Sequence, residues 1–265
     1  MKLGIAGVRP GQYDRLTIAK QIGYDFVETS LAASKDWGHE EVAEFASFLD
    51  SISLNCISTN GMFPPDIKLI GKEADHAKIS EYLNESFEKI APLNTKVCVL
   101  GSGGARRTPD GYSLDKAYDE FAQLIAEVIS PIFDKFGKVL AIEPLNYDEC
   151  NIVNTVADSM RVVKAVNKPS VFTLIDFYHV RKNGEDIESF AQYKGYIKHV
   201  HVASFNNKRL YPRPYDGEDY KAFFDVLRRA DYKEQNVSIE AGLTDNSIAG
   251  FKNAAMSAYS LLKKC

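Results

Sequence analysis

Four short apolar runs in this chain each end on a side chain that can bind a metal ion. They are Val139-Leu140-Ala141-Ile142-Glu143, Phe172-Thr173-Leu174-Ile175-Asp176, Ile197-Lys198-His199-Val200-His201 and Asn236-Val237-Ser238-Ile239-Glu240. Runs of this length and composition read as buried strands. The residue that closes each run then sits at the C-terminal end of its strand. Two glutamates, one aspartate and one histidine converging from four strands would form a site for a hard cation.

The rest of the chain supplies the frame for such a convergence. Strand-like runs at Leu3–Ala6, Phe26–Thr29, Leu54–Thr59, Lys96–Leu100, Leu140–Ile142, Val171–Ile175, Ile197–Val202 and Val237–Ile239 alternate with amphipathic stretches. Those stretches predict helices over Arg15–Ile22, Glu40–Ile52, His76–Leu93, Leu114–Phe136, Ala157–Val166, Ile187–Tyr193, Asp219–Arg229 and Ile248–Leu262. Thr155 is placed to N-cap the fifth helix. Pro131 inside the fourth removes a backbone donor and predicts a kink or two segments. Eight β-α units in 265 residues fit a (β/α)8 TIM barrel, read here as one domain over residues 1–265. A doubly wound sheet is the competing fold. It would put ligands at one switch point, whereas four donors from strands five to eight suit a closed barrel.

Composition narrows the function classes. A nucleic-acid binder would normally carry a basic face, so a net charge of −4 argues against a nucleic-acid partner. No apolar run approaches the roughly 18 residues of a membrane helix, so no membrane partner is expected. The first residues read as a strand and not as a signal peptide. Cys56, Cys98, Cys150 and Cys265 have no framework spacing and read as reduced thiols of a cytoplasmic protein.

Strand ends of a TIM barrel converge on one face, so Glu143, Asp176, His201 and Glu240 would share one site. Three oxygen donors and one imidazole suit one Mn²⁺, with Mg²⁺ or Co²⁺ as alternatives and Zn²⁺ less suited. Solvent-facing strand caps are the plainer alternative. His199 lies on the same strand face as His201, by the period of two, and reads as a core histidine. His179 falls in the sixth βα loop, as a substrate contact or an exposed loop residue. His39 and His76 read as surface residues. Glu28 ends the second strand and either lines the pocket or sits on its rim. Gly101-Ser102-Gly103-Gly104-Ala105-Arg106-Arg107 lacks a phosphate-loop ending. It reads as a flexible mouth loop, with Arg106 or Arg107 available to an anionic substrate. Trp37, Met62, Phe63, Tyr147 and Tyr178 fall in mouth loops, as sugar-stacking walls or as loop packing.

The segments Ile142-Glu143-Pro144-Leu145-Asn146, Asp176-Phe177-Tyr178-His179, His199-Val200-His201 and Ser238-Ile239-Glu240-Ala241 resemble the sugar isomerase/epimerase superfamily with the xylose-isomerase-like TIM barrel. The similarity runs over nearly the whole chain, and its nearest template is the ketose 3-epimerase group. The resemblance implies that Glu143, Asp176, His201 and Glu240 bind one divalent metal. It implies that Glu143 and Glu240 exchange a proton on opposite faces of the carbon beside a carbonyl. It also implies that Glu149 and His179 bind substrate oxygens. The pattern departs at Asn207, where those epimerases carry an arginine. Lys208, Arg209 and Arg213 are the cations available in the same loop.

The expected chemistry is isomerisation or epimerisation of a keto-sugar or keto-polyol through an enediolate. The alternatives are a lyase of the same superfamily, as a keto-inositol dehydratase or a C-glycoside-cleaving large subunit, and a non-catalytic sugar-binding barrel. A nuclease related to endonuclease IV would need more histidines than the five present. A carbohydrate is the expected substrate, and the protein partner is left open between a homo-oligomer and a small partner subunit. Fold alone does not choose the sugar.

Overall fold

The computed structural model describes residues 1–265. Eight strands, β1 (Lys2–Val8), β2 (Phe26–Ser30), β3 (Asn55–Asn60), β4 (Val97–Leu100), β5 (Val139–Ile142), β6 (Val171–Asp176), β7 (Ile197–Val202) and β8 (Asn236–Ile239), pair in parallel in sequence order. β8 returns to β1, with Leu3 opposite Val237 and Ile5 opposite Ile239. That closure makes the fold a (β/α)8 TIM barrel and excludes the open, doubly wound sheet.

The helices are α1 (Tyr13–Ile22), α2 (His39–Ser51), α3 (His76–Lys89), α4 (Gly103–Arg106), α5 (Leu114–Leu124), α6 (Ser130–Lys135), α7 (Val156–Val166), α8 (Phe177–Asn183), α9 (Tyr220–Arg229) and α10 (Ile248–Leu262). Pro131 has the effect expected of it. A π-helical turn at Ile125–Ile129 separates α5 from α6, and the proline falls in the first turn of α6. The helix runs on through the π turn, which accommodates the proline's ring and its missing N–H. Thr155 caps α7 as expected. Its hydroxyl accepts the Asp158 N–H, and the Asp158 carboxylate accepts the Thr155 N–H, both at 3.0 Å. Two short helices differ from the sequence reading. The glycine run after β4 is wound into α4, and the segment after β6 is wound into α8, whose N-cap is Asp176. Ile187–Gln192 is a 3₁₀ turn.

Strand alternation sorts the core into two compartments. Cys98, Leu100, Leu140, Ile142 and Ile175 belong to the large apolar cluster that also includes the helix faces. Val99, Ala141 and Leu174, on the opposite strand faces, form a separate buried cluster within the barrel. Side chains two residues apart share a face. Ala141 therefore points the same way as Glu143, Leu174 as Asp176, and Val99 as Gly101. The barrel's lower layer thus sets the direction of the residues at its C-terminal mouth. No helix is long and apolar enough to cross a membrane.

Glu185 adds a pH-sensitive contact to this frame. Its Oε2 accepts the N–H of Val156 at the start of α7 at 2.9 Å, while its Oε1 is buried without a partner. Burial pushes the carboxyl up to about 7; the Val156 N–H opposes the shift and Asp158 adds to it. An unfolded glutamate titrates near about 4.3. The folded state therefore binds more protons between these values. This contribution to stability is complete below the unfolded pKa and is lost as pH rises through the folded one. Glu185→Gln is expected to raise the thermal midpoint at about pH 8 and to flatten its fall between about pH 5 and pH 8. Calorimetry at several pH values checks this, and an unchanged slope would remove Glu185 as the group responsible.

Candidate metal centre at the barrel mouth

Glu143 follows β5, Asp176 ends β6, His201 lies near the end of β7 and Glu240 follows β8. Backbone pairing continues past the strand ends and fixes both glutamates. The Glu143 N–H donates to Leu100 O at 3.1 Å, and the Glu240 N–H donates to Val202 O at 3.2 Å. The four side chains meet, each offering one donor atom, with all four atoms within 4.8 Å of one another. His201 Nδ1 lies 3.3 Å from Glu143 Oε1 and 3.5 Å from Glu240 Oε2. Glu143, Asp176 and His201 are buried, and Glu240 is half-buried.

Neighbouring groups hold these donors in place. Asn60, at the end of β3, donates its amide to Glu240 Oε1 at 2.6 Å. Asp176 Oδ1 accepts the Tyr178 N–H at 2.8 Å, whereas its Oδ2 is buried without a hydrogen-bond partner. Arg209 donates Nη2 to Glu240 Oε2 at 2.6 Å and Nη1 to Glu149 Oε1 at 3.2 Å; Nη2 also stands 3.6 Å from Asp176 Oδ2. The Asn146 side-chain amide donates to Glu149 Oε1 at 2.7 Å. His179 Nδ1 accepts the Asn146 backbone N–H at 3.2 Å, so its proton belongs on Nε2. That nitrogen is buried without a hydrogen-bond partner, 3.4 Å from Asp176 Oδ2 and 4.0 Å from both Glu143 and Glu149.

The electrostatics follow from crowding charge in a buried place. Burial, with Glu240 beside it, raises the Glu143 carboxyl above its ordinary value. Burial likewise pushes Asp176 up to about 6, against the pull of Arg209. For Glu240 burial is outweighed by His201 and Arg209, which bring it down to about 2. Burial would lower His201, but Glu28 and Glu240 hold it well above the ordinary imidazole value. Burial lowers His179.

Other expected residues lie at varied distances from this cluster. Glu28 is not on the rim. It is fully buried beneath His201, with Oε1 2.9 Å from His201 Nε2. His199 is fully buried in the barrel interior, as expected, and His39 and His76 are exposed. His179 is a buried residue of α8 and not a loop residue, because Asp176 caps a helix there. Arg106 is fully buried and donates to the carbonyls of Leu100 and Val153, so it is turned away from any substrate. Arg107 donates to Asp148 O. Trp37 packs its ring on Phe45 and Phe63 on Tyr82. Asn207 accepts from Arg213, Lys208 is exposed, and Arg209 alone of the three loop cations enters the cluster. Asn60, Asn146 and Gly101 were missed in the sequence. Asn60 ends a strand whose only apolar residues are Cys56 and Ile57, so the apolar run that marks Glu143 does not mark it. A cavity of about 500 Å³ at the opposite end of the barrel, lined by Leu49, Leu54, Cys56, Leu93 and Lys96, has no such convergence.

Comparison with known proteins bears on the barrel as a whole. The family model for the xylose isomerase-like TIM barrel matches residues 16–258. The 3-dehydro-D-guloside 4-epimerase of Escherichia coli (strain K12) is 29% identical over 108 residues, 40% of this chain and 40% of that relative. The D-psicose 3-epimerase of Agrobacterium fabrum is 25% identical over 195 residues, 71% of this chain and 66% of that enzyme. The match therefore spans less than half of the first relative and about two thirds of the second. A crystal structure of a D-psicose 3-epimerase in the presence of D-fructose superposes with a TM-score of 0.85 at 17% identity, covering 100% of this chain and 99% of that one. At that identity the likeness is one of fold.

Gly101 gives the site a test that leaves every donor unchanged. A Cβ there would collide with Glu143 Oε2 and lie 3.6 Å from Leu145 Cδ2. Gly101→Ala is expected to unfold cooperatively while binding a divalent cation at least about tenfold more weakly, the scale seen when a ligand loses its orientation. Isothermal titration with Mn²⁺ reads this directly, and undiminished affinity would show that Glu143 is free to move or stands outside the centre.

Proposed function

The chain belongs to the xylose isomerase-like TIM-barrel family, and from its mouth geometry we propose that it is a divalent-metal-dependent epimerase or isomerase of a keto-sugar or keto-polyol. The observation that carries the reading is the meeting of Glu143, Asp176, His201 and Glu240 donor atoms within 4.8 Å. The residues fit a metal ion. Asp176 Oδ2 is a buried acceptor with no hydrogen-bond partner, and three hard oxygens with one imidazole suit Mn²⁺, with Mg²⁺ or Co²⁺ as alternatives. Those four residues would hold the ion. When bound, it supplies Lewis acidity toward the carbonyl and neighbouring hydroxyl oxygens of the sugar.

The protein's own groups then do the proton work. Glu143 and Glu240 stand on strands three apart in barrel order. One takes the proton from the carbon beside the carbonyl, leaving an enediolate, and the other returns a proton from the opposite side with inverted configuration. Positioned general acids and bases contribute about 10²–10⁴-fold each. Asn60 orients Glu240 by one oxygen. The His179 Nε2–H and the Arg209 guanidinium are donors for substrate oxygens, and Glu149 is an acceptor. Arg209 takes the part that the resemblance gives to the residue at Asn207.

The relatives are sugar epimerases by name, and one of them acts on a glycoside, so keto-glycosides belong beside ketohexoses and keto-inositols as trial substrates. The Mn²⁺-loaded protein in D₂O is expected to add one deuterium to a substrate of this panel without loss of a group, read by mass spectrometry. Glu143→Gln and Glu240→Gln are each expected to lower exchange by about 10² or more. Full activity in either variant would overturn the two-carboxylate mechanism. Exchange accompanied by loss of a group would assign a lyase instead.

A further inference from the structure

Glu28 is a fully buried carboxylate in the barrel that is outside the four-donor cluster yet touches it. Its Oε1 lies 2.9 Å from His201 Nε2. Its Oε2 lies 2.5 Å from His199 Nε2 and accepts the hydroxyls of Ser58 at 2.6 Å and Ser238 at 3.2 Å. Four donors from β3, β7 and β8 therefore surround one acid from β2. The hydrogen positions follow from that count. A carboxylate only accepts, so both imidazoles present Nε2–H to it. His199 Nδ1 is buried without a partner, which agrees with a proton on Nε2.

His201 then has a single nitrogen left for the mouth. Its Nδ1 is the atom 3.3 Å from Glu143 and 3.5 Å from Glu240. We infer that Glu28 is a positioning residue: it grips His201 by Nε2, aims Nδ1 at the centre, and strengthens that ring as a donor to a divalent cation. The physical basis is that an imidazole whose far N–H is given to a carboxylate is fixed in one tautomer and one orientation and is more basic at its near nitrogen. Ser58, Ser238 and His199 keep the acid itself from turning. The inference rests on the metal-centre reading above.

Glu28, His199 and His201 could also be taken as donors to a second ion. Hydrogen bonding accounts for them better, because the acid's acceptor sites are already taken by two ring N–H groups and two hydroxyls.

The test is a titration of Mn²⁺ by electron paramagnetic resonance into wild type, Glu28→Gln and Glu28→Asp, with thermal unfolding of each metal-free protein. Wild type is expected to bind one ion per chain. Glu28→Gln should bind about 10–100-fold more weakly, the usual scale for loss of such a partner. Glu28→Asp keeps the charge and should recover part of the affinity; it also stands in should Glu28→Gln fail to fold. In ¹⁵N-histidine spectra of the Mg²⁺-loaded protein, the His201 Nε2 proton should lie far downfield and move upfield in Glu28→Gln. Affinity unchanged in both variants overturns this inference alone. Two ions per wild-type chain would replace it with the second-ion reading, and a wild type that binds no divalent cation overturns it together with the metal-centre reading.

Discussion

Crowding three carboxylates, two of them buried and one half-buried, around one imidazole is the constraint on which the rest of this mouth depends. Glu143, Asp176 and Glu240 repel one another, and burial removes the water that would soften the repulsion. Compensation has to come from elsewhere in the chain. Arg209 arrives from the loop after β7, Asn60 from the end of β3, and His201 brings an imidazole backed by Glu28. Those groups are distant in sequence and can meet only where strand ends face a common axis. An open sheet would leave β3 and β8 far apart. The closure of β8 on β1 is thus a condition of the site as well as of the fold.

The layer beneath the mouth divides in the same manner. On the β4–β6 side it is Val99, Ala141 and Leu174, an apolar cluster. On the side of β2, β3, β7 and β8 it is Glu28, Ser58, His199 and Ser238, all with no solvent exposure. A polar group without a partner costs roughly 1–3 kcal/mol when buried, and an unpaired charge costs more. The Glu28 network is stable because nearly all its members are satisfied by one another. Networks of that kind specify a unique arrangement more sharply than apolar packing does. The apolar half tolerates exchange by volume, whereas the polar half ties four strands to one set of rotamers.

The strand ends were legible in the sequence because a buried strand is a short apolar run and the period of two is strict. Glu143, Asp176, His201 and Glu240 each close such a run, and the structure brings them together. Asn60 escapes that rule, because Ser58 and Thr59 precede it and β3 is mostly polar. Glu28 is a harder case. It follows only Phe26 and Val27 and stands in the middle of β2, and its depth depends on the register of β2 against β3, which shifts between Val27 and Glu28. α8 was hidden because its N-cap is Asp176, a residue whose other oxygen belongs to the mouth. Arg106 looked like a surface cation in a glycine-rich loop. Its burial depends on backbone carbonyls of Leu100 and Val153, which no side-chain pattern announces.

Arg209 shows where sequence spacing stops being a guide to position. Lys208 and Arg209 both adopt left-handed backbone, with φ of 54° and 59°. For residues with a Cβ this conformation costs about 1 kcal/mol or more each. The loop offsets it with closely spaced main-chain bonds. Arg209 N–H donates to Ser204 O at 2.8 Å, Ser204 N–H to Leu210 O at 3.0 Å, and Gly242 N–H to Arg209 O at 2.8 Å. The last of these ties the β7 loop to the segment that carries Glu240. The guanidinium therefore reaches Glu240 and Glu149 through the turn of the backbone and not through its offset from His201. Strand register governs the donor set, and loop conformation governs the cation facing it. Remodelling the β7 loop can then change the cation at the mouth while Glu143, Asp176, His201 and Glu240 keep their places.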